Sequence, residues 1–347
     1  MKKLLMVLAL CIMCAVSYLA QQRDPFGGQI DGSETWFGTF SIIAYDPVTK
    51  ELGVGVQSRA FSSGGAVPWA KAGVGAIATQ ASTNRTYGSK AIALLEQGMS
   101  PEDIVKKITD EDPNRDTRQV GVIDAKGRMA VYTGKRVIDR NHDPKDRVHF
   151  GGWAGHYQGK NFQVQGNTLA SEEVVKAMAH AYETGKGEMA ERLMDALEAG
   201  QSKGGDTRGM QSAGILVVRP ITDSNVTTDR YMDLRVDDHE NPYKELRRVM
   251  NVRLAGARMT RANQLAGEGK FKEALAEQKK AAEMHPKSEQ MHYSLAQRYA
   301  QVGEYVNAIV SLRAAIEKVP RLKLDAAEDP LFVKLKDFPE FKQLIAQ

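Results

Sequence analysis

Residues 39–57 impose the tightest constraint on the fold. Thr39 to Tyr45 reads Thr-Phe-Ser-Ile-Ile-Ala-Tyr, and Leu52 to Gln57 reads Leu-Gly-Val-Gly-Val-Gln. Between them Asp46-Pro47-Val48-Thr49-Lys50 is turn chemistry. β-branched and aromatic residues suit a pleated, half-buried surface, so the two runs are expected to pair as a hairpin. Gly53 and Gly55 alternate with apolar residues in the second run. Bare backbone at that spacing implies that another layer, or a ligand, comes close to one face.

The same pattern continues. Val74 to Thr79 reads as a strand. A helix follows with Ala91, Leu94 and Leu95 on one face, and Ser100-Pro101-Glu102-Asp103 opens another. Gln119 to Ile123 and Met129 to Thr133 form a second hairpin around Asp124-Ala125-Lys126-Gly127. Residues 139 to 160 read as a long polar loop, Phe162 to Gly166 as a short strand, and Ser171-Glu172-Glu173 as the cap of a helix. A further helix is expected from about Glu188 to Ala199, then strands at Ser212 to Val218 and Tyr231 to Val236. Strand pairs flanking helix pairs predict an α+β domain over 39–250: two sheets face to face with helices outside, an αββα sandwich.

From about Pro242 the chain turns helical. Phe271, Ala274 and Pro286 recur as Tyr305, Ala308 and Pro320, each shifted by 34 residues. A helix-pair repeat of that length resembles the tetratricopeptide family over roughly residues 255 to 320. A closing helix is expected after Asp329-Pro330, giving a second unit over 255–347. Its groove would suit a protein partner or peptide. A stabilising cap on the first domain is the competing reading.

At the other end, Lys2 and Lys3 precede an apolar run from Leu4 to Val16, the pattern of an export leader over 1–20. The run is short for a membrane span, so no stable span is expected after its removal, and the protein is expected to be periplasmic or secreted. Residues 21–38 read as a short pro-segment or linker. Cys11 and Cys14 both lie in the leader, so no disulfide or thiol nucleophile is expected in the mature chain. The net charge of +4 is dispersed, which argues against nucleic acid. His142, His149 and His156 are spaced by seven, matching no metal-ligand pattern. No phosphate-binding or dinucleotide motif is present, and neither metal nor cofactor is expected.

What remains is a hydroxyl chemistry. The only Gly-Thr dipeptide is Gly38-Thr39, at the start of the first strand. A cut between them would leave one residue carrying a hydroxyl nucleophile and a free α-amine, whose ordinary pKa of about 7.7–8.0 suits a general base. The competing readings are an ordinary strand threonine and a hinge glycine.

Residues 39 to 219 resemble a bacterial family assigned to the N-terminal-nucleophile hydrolase superfamily, the domain of unknown function 1028. The likeness is carried by Thr39-Phe40-Ser41-Ile42, Ser58-Arg59, the run Val67 to Ala76, Ala78-Thr79-Gln80-Ala81, Val164-Gln165-Gly166-Asn167 and Gly205 to Ala213. It implies an αββα fold and an N-terminal nucleophile, here Thr39, acting on a small-molecule or peptide amide. In many members the threonine directly follows the initiator methionine; here Gly38-Thr39 must first be cleaved.

Lys71, 32 residues after Thr39, resembles in placement the lysine of proteasome-type members, where an ammonium stabilises the alkoxide. The aspartate of those members has no counterpart, Gln57 preceding Ser58-Arg59. Ser58 and Arg59 fall on the substrate side, Arg59 as a fork for a carboxylate or as a structural ion pair. Asn84 and Asn167 are candidate oxyanion donors or turn residues. Asp206 and Ser212 would orient the terminal amine or serve as caps.

Overall fold

The structure is a computed structural model and describes residues 38–142, 152–222 and 227–346. The expected leader, most of the pro-segment, and His149 lie outside the described residues. Among the described residues, ten strands form two antiparallel sheets. The larger runs β10 (Arg230–Val236), β9 (Ser212–Val218), β2 (Leu52–Ser58), β1 (Thr39–Tyr45), β8 (Phe162–Leu169), β7 (Trp153–Gly159). The smaller runs β3 (Pro68–Lys71), β4 (Gly75–Ala81), β5 (Arg118–Asp124), β6 (Met129–Thr133).

Alternation along β1 divides the core. Phe40, Ile42 and Ala44 pack with Phe162, Val164, Ile215 and Val217 against Val174, Met178, Leu193 and Leu197. Those last four lie on α5 (Glu173–Thr184) and α6 (Met189–Ser202). Ile43 and Tyr45 face the other way and meet Ala76, Ala78 and Ile123 of the smaller sheet. Ile77, Val120 and Val122 pack outward on Tyr87, Ala91, Leu95, Ile104 and Ile108. These come from α2 (Thr86–Glu96) and α3 (Pro101–Asp110), the latter capped by Ser100 with Pro101 in its first turn. Gly53 and Gly55 lie under α6: a Cβ on Gly53 would sit 2.6 Å from Leu193. The close neighbour implied by the sequence is therefore a helix.

Several elements depart from the sequence expectations. A one-turn helix, α1 (Ser63–Ala66), lies between β2 and β3, where no element was expected. The stretch read as a loop from 139 holds the end of α4 (Lys135–His142) and, after the undescribed residues, all of β7. β3 was not anticipated either. β3 and β7 are both edge strands with largely uncovered side chains, so their sequences carry little apolar alternation. Ser171 makes no side-chain cap; α5 starts from Glu172 instead.

The expected break at 250–255 falls inside one continuous helix, α7 (Pro242–Gly267). Its first half buries Leu246, Met250 and Leu254 in the sheet-side core, and its second half buries Ala255 beside Leu275 and Met291. α8 (Phe271–Met284), α9 (Glu289–Val302), α10 (Tyr305–Lys318), α11 (Leu322–Glu328) and α12 (Pro339–Ala346) follow. Phe271 and Tyr305 each open a helix, and Ala274 and Ala308 are each fully buried. Among the described residues no helix is long and apolar enough to cross a membrane.

Candidate functional site

The N-terminal end of β1 sits between two strands. Thr39 is opposite Ser58 on β2 and Asn167 on β8. Its side chain follows the parity of Ile43 and so points between the sheets, where it is 3% exposed.

Four groups meet there. Ser58 Oγ donates to the Gly38 carbonyl at 2.7 Å and lies 2.9 Å from Thr39 Oγ1. It also accepts the Ala60 N–H at 3.0 Å. A serine has one proton to give. With that proton on Gly38 O, the Thr39 hydroxyl must donate to Ser58. The result is a chain of hydroxyls running from Thr39 through Ser58 to the carbonyl oxygen of the preceding residue.

The same carbonyl accepts Arg208 Nη2 at 3.0 Å. Arg208 is clamped by Asp206: Nε to Oδ1 at 3.0 Å and Nη2 to Oδ2 at 2.6 Å, a two-pronged, charge-assisted contact. Asp206 also takes the backbone N–H groups of Arg208 and Arg59. The loop carrying both residues is laced to the end of β8. Thr207 N donates to Thr168 O, Ala170 N to Gly205 O, and Leu169 bridges to Asp206. Gly204, Gly205 and Gly209 all have positive φ, which lets this loop turn twice within six residues.

Behind Thr39 lies a buried polar seam. Gln80 Nε2 donates to Thr39 O and to Gln119 Oε1, and Ser41 Oγ donates to Gln80 Oε1. Asn167 Nδ2 also donates to Gln119 Oε1, while Gln119 Nε2 reaches Gly166 O and Thr133 Oγ1. Two residues just past these amides, Ala81 (φ 66°) and Thr168 (φ 55°), hold left-handed backbone, which costs about 1–2 kcal/mol each for an L residue. Strain of this kind gathers at sites over-determined by their surroundings.

The structure thus brings Gly38, Thr39, Ser58, Asn167 and Asp206 together. It leaves other candidates outside. Lys71 pairs with Gly75, at the opposite end of β4 from Gln80, about 17 Å away at the rise of an extended strand. Its ammonium is half exposed and bonded to Glu96, which raises its pKa. It does not serve Thr39. Asn84 closes a turn onto Thr86 and donates to Asp112. Arg59 contributes its N–H to Asp206, but its guanidinium turns outward to Gln211. Ser212 donates to Ala60 O and accepts Ser63 N, tying down the loop whose N–H holds Ser58.

Sequence reading gave no role to Arg208, Gln80 or Gln119. The signal for Arg208 was its place in Gly204-Gly205-Asp206-Thr207-Arg208-Gly209, a charged pair framed by glycines.

A family model described as "Family of unknown function (DUF1028)" matches residues 39–246. The chain belongs to this family. The DUF1028 match opens on Thr39 and closes within α7. A crystal structure of protein SPO2555 from Silicibacter pomeroyi, also described as DUF1028, shares 27% identity with a TM-score of 0.52. That likeness covers 61% of this chain and 84% of that one. No curated protein matches the chain.

Proposed function

We propose that this DUF1028 protein is an exported amide hydrolase of the N-terminal-nucleophile class, with Thr39 as nucleophile freed by self-cleavage at Gly38-Thr39. One observation carries the reading: the Thr39 hydroxyl, the Ser58 hydroxyl and the Gly38 carbonyl form one hydrogen-bonded chain, with Arg208 on the same carbonyl oxygen. The family match beginning at Thr39 supports it.

In the uncut chain the Thr39 nitrogen is an amide and cannot act as a base. The hydroxyl chain supplies what is missing. Thr39 Oγ1 adds to the Gly38 carbonyl carbon as its proton passes to Ser58 and the Ser58 proton passes to the carbonyl oxygen. Arg208 stabilises the charge that develops on that oxygen. The C–N bond then breaks, the new hydroxyl's proton goes to the departing nitrogen, and Gly38 is left as an ester on Thr39. Water hydrolyses the ester to the Gly38 carboxylate and restores the hydroxyl. Thereafter the free α-amine takes the proton from Thr39 Oγ1 when a substrate amide arrives.

This chemistry would take place at the N-terminal end of β1, on the face turned toward the smaller sheet. The C-terminal helices we read as tetratricopeptide-like, from the 34-residue shift that carries Phe271 onto Tyr305. A binding role for that region is favoured by Val306 and Val310, which stand 69% and 62% exposed one turn apart on α10. In a non-catalytic reading, this surface and the sandwich would together bind a ligand or peptide.

Intact mass of the purified full chain decides between them. The hydrolase reading expects a form starting at Thr39, absent from Thr39→Ala. A folded wild-type chain that keeps the Gly38-Thr39 bond through prolonged incubation would sink it.

A further inference from the structure

The self-cleavage ester and the substrate ester are chemically the same object: an acyl group on Thr39 Oγ1. The groups around Gly38 are therefore those that an incoming acyl group meets, and they are restrictive. A Cβ built on Gly38 in the L configuration would lie 2.5 Å from Asp206 Oδ2 and 2.6 Å from its Oδ1 and Cγ. Contacts under 3.0 Å require something to move. Asp206 is poorly placed to move. Its side chain is 1% exposed, and it is held by Arg208 Nε, Arg208 Nη2, and the backbone N–H groups of Arg208 and Arg59. Displacing it would also loosen the guanidinium that grips the Gly38 carbonyl.

We propose that the acyl side of this site takes glycyl groups: substrates in which the carbonyl under attack belongs to glycine, joined in amide linkage to a leaving amine. This rests on the hydrolase reading above. Thr39 Oγ1 displaces the amine from the glycyl carbonyl, the amine leaves with the proton of the Thr39 hydroxyl, and water then releases the glycyl carboxylate. Asp206 is the specificity-determining residue. It acts by occupying the volume of an L side chain.

The test uses the full chain after it has matured, with N-acetylglycine 4-nitroanilide and N-acetyl-L-alanine 4-nitroanilide as probes and Thr39→Ala as the blank. The glycyl compound should be hydrolysed with kcat/KM at least about 30-fold above the alanyl one, within the range a single misfitting methyl gives in a fixed pocket. Equal rates, or a faster alanyl substrate, overturn the glycyl assignment and leave the hydrolase reading standing. No turnover of either probe by protein whose first residue is shown to be Thr39 overturns both. An independent arm uses Gly38→Ala in the uncut chain, with its thermal unfolding measured alongside. Cleavage should slow at least about 10-fold in a variant that still unfolds cooperatively; cleavage at the wild-type rate overturns the proposal.

Discussion

The space between the two sheets has an apolar end and a polar end, built from the same strands. At one end Ile43, Tyr45, Leu52, Val54, Ala76 and Ile123 form one buried apolar cluster. At the other, Thr39, Ser41, Gln80, Gln119, Gln165 and Asn167 are equally buried, none more than 3% exposed. The first end is what folding requires. The second is expensive, because a buried amide must find partners or lose its hydration without return. Gln163 Nε2 and Oε1 and Gln165 Oε1 are buried with no hydrogen-bond partner among the described residues. Gly121 has no side chain where Gln163 Nε2 would otherwise be 2.3 Å from a Cβ. Under the proposed function, a seam this costly, with strained backbone at Ala81 and Thr168, would serve to position the Gly38-Thr39 peptide.

The contrast can be broken at either end. The largest effect is expected at Ser58→Ala, which removes a donor to the Gly38 carbonyl and, in the proposed mechanism, the proton relay. Self-cleavage, followed by intact mass, should slow about 10²–10³-fold, the scale for losing one such donor, while cooperative unfolding persists. At the apolar end Leu52→Ala should do the reverse. It should cost about 2–5 kcal/mol in denaturant unfolding, as for other fully buried leucines, and leave the cleavage rate of the folded fraction unchanged.

A third prediction concerns the polar cluster beyond the seam. Burial pushes the Asp112 carboxyl up, but Arg118, the Asn114 N–H, Asn84 and Tyr87 outweigh it and bring the pKa down to about 2. A depressed folded pKa stabilises the fold above the ordinary carboxylate value and forfeits that contribution as pH falls toward the folded one. Stability should decline between pH 4 and pH 2, and Asp112→Asn should flatten that slope in urea titrations. The smallest effect is expected at Lys71→Ala: an exposed pair with Glu96 is lost, with no measurable change in cleavage or unfolding. A collapse of cleavage there would return Lys71 to the site and dismantle the geometric contrast between the two ends of β4.

Much of the architecture was legible in the chain because local periodicity reports what a segment buries. The first hairpin, the helix started by Ser100-Pro101, and the 34-residue correspondence of Phe271 with Tyr305 all follow from spacing alone. The edge strands β3 and β7 were not legible, having little to bury. The polar seam was hidden for a different reason. In Phe162-Gln163-Val164-Gln165-Gly166-Asn167 the apolar set faces the helices, and the glutamines look like a solvated face until a second sheet covers them.

Sequence by itself determined the alternation of strands and helices, the Gly38-Thr39 pair and the strand it begins, since each depends on neighbours a few residues away. Only the tertiary structure decided which distant side chains serve that pair. It chose Ser58, 19 residues on, and Arg208, 170 residues beyond Gly38, and it sent Lys71 to the far end of the sheet. The reason is physical: a strand's own sequence fixes which of its faces is apolar, whereas register and the packing of one sheet on another fix which polar groups meet.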